Sequence, residues 1–342
     1  MSRADALLGA LRRRTRKHRR RGGILMYHCI TEESVDPWAI CVSPQAFDEQ
    51  MAVLAQARAA VDLADFAGGA GRTRSGDRVA VTFDDGYVDN LTAALPVLEK
   101  YEIPATIFVI GHAVGRTREF WWDALHSALL GSGPLPQVLD FPFGEGRVFT
   151  LEEKPGDSAA NIGWRADDAG EDTPRQRLFR ELWDIIVVLE PAEQDEATDF
   201  LMEWAGHVPA TPPSRVAVDA EQFARIAEHP LISLGSHTLD HVSLTDLSPQ
   251  RQHTQIGAGH RMIEELSGRP VTRFSYPYGR FDDGARTAVR DLGIDIACTS
   301  VPLPTIVDDD PRALPRLQAT EMNGDRFARW LGEDYGLLSR SR

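Results

Sequence analysis

Residues 79–87, VAVTFDDGY, close a short apolar run on two adjacent carboxylates, Asp84 and Asp85. The run reads as a buried β-strand ending in a turn. Neighbouring carboxylates repel each other unless a cation or a shared proton compensates. Asp is also a common helix N-cap, so this pair alone leaves a structural reading open. Working outward, ILMYH (24–28) forms an earlier strand and ATIFVI (105–110) a later one. Between residues 88 and 100, Leu91, Leu95, Val97 and Leu98 fall at roughly helical spacing, and Pro104 breaks the pattern before the next strand. LISLGSH (231–237), VTRFSYP (271–277) and IDIACTS (294–300) continue the series, and LPRL (314–317) supplies a final strand. Ser248 followed by Pro249 makes an N-cap and first-turn pair for a helix running to Leu266, and a terminal helix falls around 324–338. Strands alternating with helices predict an α/β protein on parallel strands.

Residues 112–228 break this rhythm. FWWDALHSALL (120–130) and LFRELWDIIVVL (178–189) have helical spacing and flank a glycine- and proline-rich stretch from Gly131 to Gly146. We read a mostly helical insertion whose Trp and Phe residues form core.

The 342 residues suffice for one large domain or two small ones, with 42% hydrophobic and 26% charged residues as in ordinary globular chains. No stretch approaches the roughly 18 apolar residues of a membrane span. Cys29, Cys41 and Cys298 are odd in number, far apart in sequence and without a CxxC pair. That argues against a disulfide framework or a cysteine metal site and for a reduced, cytoplasmic compartment. Charge is uneven. Residues 1–21 hold nine Lys and Arg against Asp5, a net of +8, so a chain of net −14 carries −22 on the remainder. An acidic body with no nucleic-acid motif excludes a nucleic-acid partner. The apolar ALLGAL precedes the basic run, the reverse of a secretory signal. Residues 1–22 are therefore a basic N-terminal arm, either solvated or held against an anionic membrane at its cytoplasmic face.

Three clusters sit at predicted strand C-termini, where barrel-like α/β folds place their chemistry. The first is Asp84-Asp85. The second is His237-Thr238-Leu239-Asp240-His241, whose histidines, four apart, share one face of a helical turn and can reach one metal. Two neutral imidazoles and a carboxylate leave a position open for water, which then ionises near neutral pH. HxxxH alone also fits a satisfied surface pair. The third, Ser275-Tyr276-Pro277-Tyr278-Gly279, by itself indicates only a turn.

In this order, with VAVTFDDGY, IPATIFVIG, LGSHTLDH, YPYGRF and IDIACT, the chain resembles the polysaccharide deacetylase, or NodB-homology, family over residues 24–111 and 230–330. The resemblance implies a distorted (β/α) barrel spanning 23–342, with 112–228 inserted. It implies removal of N-acetyl groups from an amino sugar in a polysaccharide or lipid-linked glycan, an N-acetylated saccharide as substrate, and one divalent ion, zinc first with cobalt or nickel as alternatives. Asp85, His237 and His241 would be the ligands and Asp84 the general base. The backbone N–H of Tyr278 would stabilise the oxyanion. Ser275 stands where the family usually has an Arg orienting the catalytic Asp, and Arg316 is our candidate substitute. The family's usual C-terminal His is missing, since no His follows His260. His28 is our candidate acid, because an imidazole of pKa about 6.5 both holds and gives a proton near neutrality, with His112 as runner-up. A formyl or other short acyl group on a small sugar fits the same chemistry. A non-catalytic glycan-binding relative would have lost a ligand or the base, and all four residues are present.

Overall fold

The computed structural model describes residues 20–68, 78–154, 156–168, 170, 172–207 and 215–338. Within these, strands β1 (Arg20–Tyr27), β2 (Val79–Phe83), β3 (Ala105–Val109), β4 (Val138–Phe141), β5 (Arg147–Thr150), β6 (Ile232–Ser236), β7 (Arg273–Ser275), β8 (Ile296–Cys298), β9 (Thr305–Ile306) and β10 (Leu317–Gln318) follow in chain order. The main sheet runs β10-β1-β2-β3-β6-β7-β8, and β9 pairs antiparallel with β1. All pairings along that path are parallel. Leu314 bridges Cys298 at one edge and Leu317 pairs with Leu25 at the other. The segment 314–318 therefore joins the two edges, and the sheet curls into the distorted (β/α) barrel expected from the sequence.

Parallel strands buried on both faces must be apolar along their whole length, and every residue of β2 and β3 is buried. Val79, Val81, Phe83, Ala105, Ile107 and Val109 pack with residues of the helices Pro44–Ala57, Leu95–Tyr101 and Ala220–Glu228. The alternate residues Ala80 and Phe108 join Ile24, Ile296, Cys298 and Leu314 in a separate cluster. Gly235 of β6 is required there, because a Cβ would lie 2.3 Å from the Phe108 ring. The helix Pro249–Ser267 is capped by Ser248, with Pro249 in its first turn, and Gly268 ends it in a left-handed conformation.

Residues 112–228 differ from their mostly helical reading. An antiparallel hairpin of β4 and β5 lies between helices Trp121–Leu130 and Pro174–Ile186, and helix Pro191–Trp204 follows. Glycine and proline mark loops, but Val138-Leu139-Asp140-Phe141 alternates exposed and buried residues with the period of a strand. Leu139, Phe141 and Phe149 then complete a core with Trp121, Phe179, Leu182 and Leu201. The helix Ala220–Glu228 packs Phe223 and Ile226 on the barrel side instead.

Cys29 and Cys41 oppose each other in a parallel bridge, and both are free. One further reading changes. Arg20–Gly22, assigned to the basic arm, belong to β1. Residues 1–19, which hold most of that arm, lie outside the described residues. Among the described residues no helix is long and apolar enough to cross a membrane.

Candidate active site

Strand ends converge on one cleft. β1 delivers His28, β2 delivers Asp84 and Asp85, β6 delivers His237, and Arg316 immediately precedes β10. A cavity of about 270 Å³ is lined by His28, Asp84, Asp85, His237, His241 and Tyr278, together with Trp38, Trp122, Trp183, Arg280 and Gln318.

His237 and His241 do not share a helical turn. Residues 237–241 form a non-helical bend, with Thr238 and His241 at φ 63° and 55°. Thr238 Oγ1 accepts the His241 backbone N–H at 2.9 Å, a local bond that competes with helix formation. Gly259 of the helix Pro249–Ser267 makes room for the bend, since a Cβ there would lie 2.3 Å from the Thr238 carbonyl carbon. Asp85 and Tyr278 also have positive φ, 72° and 56°. Four residues held in a sparsely populated region around one cleft mark strain kept for function.

His237 Nδ1 is 2.7 Å from the Ser275 carbonyl, which only accepts, so Nδ1 carries the hydrogen and Nε2 presents its lone pair. His237 Nε2 and His241 Nε2 lie 3.5 and 3.4 Å from Asp85 Oδ1. That oxygen is buried and has no hydrogen-bond partner among the described residues. Burial, then the charge of Asp84, pushes the Asp85 carboxyl well above its ordinary value, and burial lowers both imidazoles. The three ligand atoms lie within 4.8 Å of one another. Two neutral imidazoles and an orphaned carboxylate oxygen fit a divalent cation, which would supply the compensating charge.

Asp84 is treated differently. Arg316, fully buried, donates from Nη1 to Oδ1 at 2.7 Å and from Nη2 to Oδ2 at 2.6 Å, and Ser275 Oγ donates to Oδ2 at 3.1 Å. Burial alone would raise this carboxyl. The charges of Arg316 and His237 and the Arg316 hydrogen bonds outweigh it and hold Asp84 below the usual carboxylate range. Ser275 also accepts from Arg316 Nη2 at 2.8 Å. The position where the family has an Arg thus supports an Arg arriving from another strand. His28 lines the cleft, but its Nδ1 is buried without a partner among the described residues. Burial pushes the ring down to about 4, with Arg316 and His237 adding to the fall and Asp84 opposing it. His112 stands outside the cleft, half exposed, 2.6 Å from Asp240.

Sequence reasoning missed the aromatic wall. Trp122, read as core, packs its ring 4.6 Å from that of His241. Trp183 of the insertion lies 4.3 Å from Trp38 of the loop after β1. The signal was the Trp121-Trp122 pair, because consecutive helical residues cannot face one side.

The polysaccharide deacetylase family profile matches residues 71–139 and 187–297, more than half of the chain. The chain belongs to the polysaccharide deacetylase family. His28 and Arg316, the candidate substitutes for the family's missing His and Arg, both lie outside the matched residues. This family member is 22% identical over 254 residues to YxkH of Bacillus subtilis (strain 168), a match covering 74% of this chain and 56% of YxkH. It spans little more than half the length of that relative. BC0361, a polysaccharide deacetylase from Bacillus cereus, has a similar fold (16% identity, TM-score 0.56, 90% of this chain and 68% of that one). IcaB from Ammonifex degensii does too (19% identity, TM-score 0.55, 91% of this chain and 97% of that one).

A ligand that binds only the folded state raises stability, by about 2.7 kcal/mol at a hundredfold excess over its dissociation constant. Zinc added to chelator-stripped protein should therefore raise Tm, and Asp85→Asn should lose most of that rise. An equal zinc-induced rise in the His237→Ala/His241→Ala double variant would remove these histidines from the site.

Proposed function

We propose that this family member hydrolyses the N-acetyl amide of an amino sugar, using a divalent ion held by Asp85, His237 and His241. The observation that carries the reading is the division of labour between the two aspartates. Asp85 Oδ1 faces two imidazole nitrogens without a hydrogen-bond partner among the described residues, while Asp84 beside it is kept ionised by Arg316. When bound, the ion would act as a Lewis acid and bring the pKa of a bound water to about 7.

The protein groups then have distinct tasks. Asp84 takes a proton from the attacking water, and Arg316 fixes the direction in which its carboxylate points. The backbone N–H of Tyr278 stabilises the developing oxyanion. His28 protonates the departing amine. With its ring pushed down to about 4, it rests neutral at pH 7 instead of about a quarter charged, so it must first receive the proton it gives. The cleft, about 270 Å³, is small beside ligand pockets of about 300–1,000 Å³. It admits the amide-bearing ring, and the rest of the glycan lies outside. The rings of Trp38, Trp122 and Trp183 offer apolar surface to the sugar's C–H faces.

Acetate release from N-acetylated oligosaccharides and lipid-linked sugars, followed by mass spectrometry with added zinc, cobalt or nickel, tests this reading. Asp84→Asn and His28→Ala should each keep the metal and lose about 10²–10⁴ in kcat. Near wild-type turnover by Asp84→Asn would take the base away from Asp84. Release of formate or another acyl group in place of acetate would move the substrate but leave the chemistry.

We further propose that residues 1–21 hold the protein at an anionic, cytoplasmic membrane face. The support is their net +8, with each well-placed basic residue contributing about 1 kcal/mol near such a surface. Removing residues 1–19 should abolish sedimentation with anionic vesicles and spare turnover of a soluble substrate. Equal sedimentation of both forms would leave the arm solvated.

A further inference from the structure

The tautomer of His237 is set by a carbonyl, but His241 faces a group that can both give and take a hydrogen. His241 Nδ1 lies 3.2 Å from Tyr278 Oη. The same hydroxyl donates to the backbone carbonyl of His241 at 3.3 Å. A phenol carries one proton. With that proton committed to a carbonyl, which only accepts, the phenol oxygen can only accept from the ring. The arrangement that satisfies both contacts at once has the hydrogen between Oη and Nδ1 on Nδ1.

We propose that the Tyr278 side chain is a positioning residue for the metal site: it fixes His241 as the Nδ1–H tautomer, so that Nε2 presents its lone pair toward Asp85 Oδ1. This deepens the metal-site reading and rests on it, and it is separate from the task given to the Tyr278 backbone. Such outer contacts orient a ligand ring and raise its basicity. The ring is also braced laterally. Tyr278 meets His241 edge to face with centroids 4.6 Å apart, and Trp122 packs on it at the same separation. Trp122 is itself held, because its indole N–H donates to Tyr87 Oη at 2.7 Å and that hydroxyl donates to Asp123 at 2.8 Å. Trp183 stands edge to face against Tyr278 at 6.4 Å. Trp122, Asp123 and Trp183 all come from residues 112–228, so that segment bears on metal binding as well as on the shape of the cleft.

Tyr278→Phe tests this, because it keeps the ring, the turn and the backbone N–H and removes only the hydroxyl. Zinc affinity is read by competition with a chromogenic chelator, and the ring nitrogens by ¹⁵N NMR of histidine-labelled, zinc-free protein at mildly alkaline pH. We expect a single Nδ1–H tautomer for His241 in the parent, a tautomer mixture in Tyr278→Phe, and about 10–100-fold weaker zinc binding by the variant. Equal zinc affinity, or weaker binding with an unchanged tautomer, would overturn the proposal. So would an Nε2–H tautomer in the parent, whatever the variant does. A parent protein that binds no zinc at all would instead contradict the metal-site reading.

Discussion

Two carboxylates stand side by side at the buried end of a strand, and the fold supplies one fixed cation for them. Arg316 spends every N–H of its guanidinium there. Nη1 serves Asp84 Oδ1 and Thr82, Nη2 serves Asp84 Oδ2 and Ser275, and Nε donates to the Thr299 carbonyl. A buried ion pair is tolerable only when geometry and remaining hydrogen bonds are this complete. The fork ties together β2, the ends of β7 and β8, and the segment that closes the barrel. It also leaves Asp85 without a compensating charge. That residual demand, beside two imidazoles that burial keeps neutral, is what fits the cleft to a divalent cation.

Holding this arrangement strains the backbone. Asp85, Thr238, His241 and Tyr278 all have positive φ, at a cost of order 1–3 kcal/mol each. The cost is borne by rigid surroundings: the barrel strands on one side and the helix Pro249–Ser267 on the other, with Gly259 permitting close approach of the His237–His241 bend. Residues 112–228 add a third support through Trp122 and Trp183. The proposed metal ligands, the proposed base and the aromatic wall thus come from segments far apart in sequence that meet because parallel strands all end at one rim.

The barrel was legible because its strands are short apolar runs punctuated by Gly, Pro and Asp, and because Ser248-Pro249 declares a helix start. Its limits were less so. β1 begins at Arg20, since antiparallel pairing with β9 recruits residues whose charge suggested a free arm. The hairpin of β4 and β5 was hidden because loop-forming composition masked a period-two pattern only four residues long. Asp84, Asp85, His237 and His241 were visible as local clusters, whereas the bend carrying the histidines was not: HxxxH spacing is helical only if nothing local competes, and Thr238 does. Arg316 was marked only by the resemblance, which calls for an Arg where Ser275 stands, and by its place in LPRL at a predicted strand end. The contact of Cys29 with Cys41, and of Trp122 with His241, arises from tertiary packing that spacing alone does not encode.

Arg316 satisfies Asp84, and the proposed divalent ion satisfies Asp85. Metal-edge X-ray absorption of zinc-loaded protein, with stoichiometry from elemental analysis, tests this pairing. One ion per chain is expected, with two imidazole nitrogens at about 2.0–2.1 Å, oxygen in the remaining positions and no sulfur. A substoichiometric ion, or a shell containing sulfur or fewer than two imidazoles, would contradict it.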